Sequence, residues 1–248
     1  MGKIPKIIHY IWLGDRKLST VSLMCINSWK RKLPDYEIKK WNEDNLHLDK
    51  LIKKNKFLKK CYELKLWAFV TDYLRVYILY KYGGIYLDTD VEVIKPFDVF
   101  LEEDCFLGYE GYKKSENIGT GVIGARANNK FIKKILDFYE EDIWNVDYFV
   151  NPEIFKNVLE NNLEIKQKMT LLDYDVFSPY DPYESNPEKR LVDTKKTVCI
   201  HWYTADWNMT RKGYVFLHTK NIKCKYKKCL EIIRKNIGYY RKCQKKVN

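Results

Sequence analysis

Two carboxylates one residue apart, Asp88 and Asp90, stand in an otherwise apolar run over 85–94. Adjacent carboxylates repel each other, so such a pair commonly exists to hold a cation. The run is rich in β-branched and aromatic residues and reads as one strand. Side chains at i and i+2 share a face of a strand. Tyr86, Asp88 and Asp90 then point one way, while Ile85, Leu87, Thr89 and Val91 point towards a core. An isolated Asp-x-Asp is short and common, and fits a turn at the end of an edge strand. The apolar context favours the cation, because burying two unpaired carboxylates costs several kcal/mol.

The element that must position this pair precedes it. Residues 67–82 contain no Gly or Pro, and Phe69, Val70, Leu74, Val76, Tyr77, Leu79 and Tyr80 predict a helix buried on most sides. Gly83-Gly84 ends it, since glycine takes left-handed C-cap conformations without a side-chain clash. Asp72 and Arg75 lie three apart and share a face of that helix. If the helix packs back beside the strand, a carboxylate, a guanidinium and the Asp pair meet at one spot. A solvated surface ion pair is the alternative, and the apolar neighbours on both sides argue against it.

The run Asp72-Tyr-Leu-Arg75, then Gly83-Gly84-Ile-Tyr86-Leu-Asp88-Thr-Asp90, resembles the sugar-binding DXD region of glycosyltransferase family 32. That family includes bacterial capsule and polysaccharide transferases and yeast mannosyltransferases; clostridial toxin glucosyltransferases share the pattern more distantly. The resemblance implies an α/β fold of the GT-A type, with a mostly parallel central sheet flanked by helices. It also implies a nucleotide-sugar donor and a divalent cation, Mn²⁺ or Mg²⁺. On that reading Asp90 ligates the metal. Asp88 joins the metal site and holds ribose or sugar hydroxyls. Asp72 and Arg75 bind the donor sugar, Arg75 reaching phosphate as well, and Tyr86 contacts the ribose. Retention of anomeric configuration is implied too. A glycoside hydrolase would need a carboxylic acid for a poor leaving group. A diphosphate leaving group needs its developing charge neutralised instead.

Two further segments extend the resemblance. IPKIIHYIWLG, at 4–14, reads as a buried first strand ending in a polar turn. It resembles the family's opening motif, which puts Ile11, Trp12 and Gly14 beside the nucleotide; the plain reading of Trp12 is core. TVCIHWYTADW, at 197–207, is a strand running into His201. A lone His is more often structural, but the family carries a C-terminal His followed by a Trp. This implies His201 as a third metal ligand, suited with Asp90 to Mn²⁺, and Trp207 as a donor-phosphate contact. Here Trp207 lies six residues after His201, a wider spacing than the family form. ENIGTGVIGAR, at 116–126, is glycine-rich and matches no dinucleotide fingerprint or P-loop. The family's corresponding segment lines donor sugar and acceptor, which makes Asn117, Thr120 and Gly121 candidates; a plain strand with bends fits equally.

Elsewhere the chain alternates strands and helices, as a mostly parallel sheet requires. Helices are expected over 19–32, with Val21, Leu23, Met24 and Trp29 inward, and over 45–60 and 128–144, the last with Phe131, Ile135, Phe138 and Tyr139 inward. Another begins at Asn151-Pro152, where the family often has Gly-Pro, and Asn151 is given no role. Strands are expected over 36–41 and 105–109, a strand-to-loop run over 176–180, and a mobile polar segment over 181–189.

The chain has 248 residues, 46% hydrophobic, enough for one domain with a real core. The net charge of +12 is concentrated: residues 220–248 hold 11 Lys/Arg against one acid, leaving 34 basic and 32 acidic residues in 1–219. A catalytic domain over 1–219 and a basic amphipathic helix over 220–248 follow. Such a helix suits an anionic membrane surface; a solvated helix or nucleic acid are the alternatives, and no nucleic-acid recognition motif accompanies it. Neither a signal peptide nor a run of 18 apolar residues is found, and seven scattered cysteines fit a reducing compartment. The expectation is a cytoplasmic enzyme, peripheral on the inner membrane face. It would move a hexose, from a UDP donor or from GDP-mannose, to a glycan or lipid-linked acceptor. A non-catalytic carbohydrate- or membrane-binding protein on the same fold is the rival. An Asp-x-Asp phosphatase is disfavoured, because Glu92 stands where that motif wants Thr or Val.

Overall fold

The computed structural model describes residues 2–110, 117–180, 195–204, 209–221 and 230. The elements run β1 (Ile7–Ile11), α1 (Thr20–Lys32), β2 (Glu37–Trp41), α2 (Leu48–Lys54), α3 (Lys56–Glu63), α4 (Trp67–Tyr82), β3 (Gly84–Leu87), β4 (Val91–Val93), β5 (Cys105–Glu110), β6 (Asn117–Ala125), α5 (Lys130–Glu140), α6 (Asn151–Glu160), α7 (Leu163–Lys166), β7 (Thr170–Leu172), α8 (Tyr174–Phe177), β8 (Cys199–His201) and α9 (Arg211–Thr219). A six-stranded sheet has the order β2-β1-β3-β6-β5-β7, and β4 and β8 form a separate antiparallel pair. Three of the five pairings in the large sheet are parallel; β6 is antiparallel to both of its neighbours. One apolar cluster packs α4, α5 and α6 against one face of the sheet. A second lies between the other face, α1 and the small sheet. No helix among the described residues is long and apolar enough to cross a membrane.

Helix α4 has the bounds its sequence predicts, and nine of its side chains are buried. The Gly-Gly that ends it is demanded twice. Both glycines have positive φ, +64° and +99°. A Cβ on Gly83 would lie 2.6 Å from the Ala127 amide nitrogen, and one on Gly84 would lie 2.7 Å from the Ile7 carbonyl oxygen. The turn is therefore wedged between β1 and the segment after β6, and only glycine fits.

Four expectations are corrected. The single strand over 85–94 is two strands, β3 and β4, in different sheets, with Asp88-Thr89-Asp90 forming the turn between them. The inward face of α1 is Ser22, Cys25, Ile26, Ser28 and Trp29, while Leu23 and Met24 are 48% and 66% exposed. That face is set by polar anchoring: the Trp29 indole donates to Val91 O at 2.7 Å, and Ser28 Oγ accepts from Val93 N at 2.9 Å. The helix over 45–60 is broken at Asn55, whose side chain caps α3 by accepting from Leu58 N. The run 176–180 begins inside the helical turn α8 rather than in a strand. The expected mobile segment over 181–189 and nearly all of the basic tail lie outside the described residues.

His9 on β1 is fully buried and ties three elements together. Its Nε2 donates to Gly83 O at 2.7 Å, and its Nδ1 accepts from the Trp41 indole at 3.0 Å. Both nitrogens are thus used by the neutral ring. Burial first, then Lys39, lowers its pKa to about 4, against the hydrogen bond to the Gly83 carbonyl. The unfolded chain binds this proton near the ordinary value of 6.5, so stability falls as pH drops from there towards 4. A shift of this size is worth about 3 kcal/mol. Urea midpoints at pH 7 and pH 4.5 should differ less for His9→Gln than for the wild type; equal differences would remove His9 from the acid sensitivity.

Candidate functional site

The Asp pair sits where the chain changes sheets. β3 ends at Leu87, and the Asp88 amide donates to Gly121 O on β6 at 2.8 Å. The Val91 amide then closes the turn onto Asp88 O at 3.0 Å. β4 leaves to pair with β8 in a register that sets Val91 opposite His201, and Trp202 N donates to Asp90 O at 3.0 Å. Pairing, not sequence proximity, brings His201 to the carboxylates. One ligand atom from each of Asp88, Asp90 and His201 lies within 4.8 Å of the others.

The two carboxylates are held by different partners. Asp88 Oδ1 accepts from Tyr86 Oη at 2.8 Å and faces Arg75 Nη2 at 3.3 Å; Arg75 Nη1 lies 3.4 Å from Oδ2. Asp90 Oδ2 accepts from the Thr204 amide at 2.8 Å and its hydroxyl at 3.0 Å, and Oδ1 lies 3.4 Å from His201 Nε2. Burial alone would raise the Asp90 pKa, but His201 and Thr204 outweigh it and hold it at about 2. For His201 burial opposes protonation, and Asp90, Asp88 and Glu110 together raise its pKa. Tyr203, at a φ of +50°, stacks on the His201 ring with centroids 4.1 Å apart.

Arg75, 6% exposed, is the hub. Its Nη2 meets Asp72 Oδ1 at 3.2 Å, its Nη1 donates to Thr120 O at 2.7 Å, and its guanidinium lies 4.6 Å from the Tyr86 ring centroid. Asp72 is 3% exposed, and burial, only partly offset by Arg75, pushes its pKa up to about 7. Asn151 donates to Asp72 Oδ1 at 3.0 Å. Gly121 leaves room for the cluster: a Cβ there would lie 3.0 Å from His201 Cε1 and 3.1 Å from Asp88 Oδ2. A cleft lined by Gly108, Gly119, Gly121, Phe177, Ser178 and His201 opens beside it. Burial raises the Glu110 pKa, with His201, Asp88 and Arg75 the charges that act on it.

The remaining expected residues fall into four groups. Thr120 and Gly121 touch the cluster through their carbonyls. Ile11 ends β1 and Trp12 and Gly14 follow it; β1 pairs in parallel with β3, so this segment leaves the sheet at the edge where Asp88 lies. Ile11 is 5% exposed and part of the core. The Trp12 indole donates to Arg16 O at 2.6 Å; Gly14, at φ +74°, donates to Glu43 Oε1 at 2.7 Å. Asn117 stands at the exposed start of β6, paired with Glu110 and four residues before Gly121. Trp207 lies outside the described residues. Sequence reasoning gave no role to Asn151, Thr204 or Glu110. Only Asn151 had a signal, as a polar residue at a helix start between apolar neighbours.

Two carboxylates and an imidazole form a donor set that could hold a divalent cation. Residues 20–107 match the family described as "Glycosyltransferase sugar-binding region containing DXD motif". The chain is 28% identical over 118 residues to inositol phosphoceramide mannosyltransferase 1 of Schizosaccharomyces pombe, covering 43% of this chain and 34% of that protein. It is 29% identical over 163 residues to a glycosyltransferase of Acanthamoeba polyphaga mimivirus, covering 62% and 64%. It is 31% identical over 171 residues to human alpha-1,4-N-acetylglucosaminyltransferase, covering 62% and 47%. The chain thus spans between about a third and just under two thirds of these relatives. Among solved structures, the PaToxG glycosyltransferase superposes with a TM-score of 0.53 at 21% identity, over 66% of this chain and 71% of that one. The fold is of the GT-A type. The matched segment, residues 20–107, holds the Asp72–Arg75 helix and the Asp88–Asp90 turn, so over that stretch the chain is similar to the DXD-containing sugar-binding region of glycosyltransferases.

Proposed function

We propose that this chain is a metal-dependent, retaining hexosyltransferase that takes its sugar from a nucleotide donor, UDP-linked, and passes it to a glycan or lipid-linked acceptor. The convergence of Asp88, Asp90 and His201 beside Arg75 carries the reading. Asp90 and His201 hold the cation, with Asp88 as the third ligand. When bound, Mn²⁺ or Mg²⁺ supplies the positive charge that a diphosphate leaving group requires. Asp88, steadied by Arg75 and Tyr86, receives ribose or sugar hydroxyls, and Tyr86 lies against the ribose. Arg75 and Asp72 form the floor under the donor sugar, with the fixed guanidinium also able to meet phosphate. Ile11, Trp12 and Gly14 flank the base, Trp207 reaches the donor phosphates, and Asn117, Thr120 and Gly121 border donor sugar and acceptor. No carboxylate is assigned as a nucleophile, so attack and departure occur on one face of the sugar. A guanosine donor is the second reading, favoured by similarity to the S. pombe mannosyltransferase.

The donor is read by thermal unfolding with Mn²⁺ and each nucleoside diphosphate. At saturation a native-state ligand raises the midpoint by about 5 °C or more. Asp90→Asn keeps an oxygen for Thr204 but removes the charge facing His201. It should abolish the Mn²⁺-dependent part of the shift, measured from the variant's own ligand-free midpoint. A shift with UDP alone selects the uridine donor and a shift with GDP alone the guanosine donor. No shift with any nucleotide favours a non-catalytic carbohydrate- or membrane-binding protein.

The tail extends the proposal to a place of action. Residues 220–248 carry a surplus of ten positive charges, each worth about 1 kcal/mol near an anionic leaflet. We assign them to an anionic membrane surface, the inner face of the plasma membrane, rather than to nucleic acid. Deleting 220–248 should weaken binding to phosphatidylserine vesicles and leave donor hydrolysis by residues 1–219 unchanged. Equal vesicle binding by the shortened chain would defeat the assignment.

A further inference from the structure

Behind the Asp pair runs a polar chain that the proposed function leaves unused. Tyr139 on α5 and Asn151, the first residue of α6, are each 1% exposed. Tyr139 Oη donates to Asn151 Oδ1 at 2.6 Å, and Asn151 Nδ2 donates to Asp72 Oδ1 at 3.0 Å. The direction follows from the guanidinium: Arg75 donates to the same Asp72 oxygen, so that oxygen is an acceptor, and the amide turns its NH₂ to Asp72 and its oxygen to the tyrosine hydroxyl. Arg75 Nη2 meets the same Asp72 oxygen at 3.2 Å and, 3.3 Å away on its other side, Asp88 Oδ1. The second Asp72 oxygen, Oδ2, is buried without a hydrogen-bond partner. Asp72 is therefore oriented by two donors on one oxygen, Asn151 and Arg75.

Removing the amide would leave Arg75 as the remaining donor, among the described residues, to a fully buried carboxylate whose pKa burial has already pushed up to about 7. The groups facing Asp72 are Arg75 on its own helix, Asp88 on the turn, Tyr86 on β3, Tyr139 on α5 and Cys61 on α3. Burial raises the pKa of both tyrosines and of Cys61, so they stay neutral near pH 7. Arg75 is the cation among them. If Asp72 turns or takes a proton, Arg75 loses the one carboxylate that opposes the pull of Asp88 and keeps only the Thr120 and Thr71 carbonyls as anchors.

We propose that Asn151, locked by Tyr139, is a positioning residue of the sugar-transfer site: it orients Asp72 so that Arg75 stays suspended between Asp72 and Asp88 in the pose that meets the donor sugar. The proposal rests on the glycosyltransferase reading only for the last clause. A purely structural Asn151 would pin α6 to α4 and nothing more.

The test uses the full chain with Asn151→Ala and, should that variant fail to fold, Tyr139→Phe, which removes the lock while keeping the ring. Carboxyl ¹³C resonances of Asp72 report its titration midpoint without any substrate. Loss of one charge-directed hydrogen bond should raise that midpoint by about one unit. Affinity for UDP or GDP with Mn²⁺ should stay within about twofold, while hydrolysis of UDP-glucose or GDP-mannose per folded molecule falls about tenfold. The decisive reading is the titration: a wild-type midpoint in a folded variant overturns the proposal, whatever turnover does. If the wild-type chain turns over neither donor, the glycosyltransferase reading fails on its own, and the Asp72 midpoint still decides whether Asn151 orients it.

Discussion

The guanidinium of Arg75 is a cation buried among groups drawn from four parts of the chain. Asp72 and Thr71 come from its own helix, Asp88 from the turn after β3, Thr120 from β6, and the Tyr86 ring from β3. A buried charge is tolerated only when paired and hydrogen-bonded, and taking away one partner of such a pair costs about 3–5 kcal/mol. That penalty makes the surroundings interdependent. α4 must pack with Asp72 and Arg75 towards the sheet, and β6 must present the Thr120 carbonyl at one register. The chain must also turn immediately after Leu87, so that Asp88 reaches the guanidinium and not the core. The double glycine before β3 serves the same end, since it lets the chain reverse with no room for a Cβ.

The neighbouring carboxylates illustrate how like charges are made to coexist. Asp88 is neutralised from the helix side by Arg75 and Tyr86, and Asp90 from the small sheet by His201 and Thr204. Each anion thus has its own compensation, and the sheet switch separates the two sets of partners. The result is a charged, fixed cluster at the sheet edge to which the end of β1 also leads. A site rigid in this way suits the binding of a cation and a diphosphate, because little reorganisation is needed when charge develops. Gly121, whose missing side chain leaves space between His201 and Asp88, keeps that cluster open on one side.

Much of this was legible in the residues because the signals are local. The helix over 67–82, its termination, and the shared face of Asp72 and Arg75 follow from periodicity and glycine chemistry. The apolar context of the Asp pair marks it in the sequence, but not its geometry, which is a turn between two strands. A continuous apolar run gives no sign of where one strand stops and another begins, and the two readings place the carboxylates on a strand face or in a turn. Hydrophobicity does not set the inner face of α1 either: Leu23 and Met24 are more apolar than Ser22 and Ser28, yet Trp29, donating to Val91 O, and Ser28, accepting from Val93 N, orient the helix against β4.

By itself the sequence determined that a helix bearing Asp72 and Arg75 is followed, after a double glycine, by a tyrosine and two aspartates of a DXD sugar-binding region. It also fixed the concentration of positive charge in the last residues. Tertiary structure alone decided which of those groups touch, and with what else. Thr204 reaches Asp90 across 114 positions and Asn151 reaches Asp72 across 79. Such contacts leave no periodicity in the chain. They arise because buried carboxylates must find donors, and strand register and helix packing decide which distant donors are within hydrogen-bonding range.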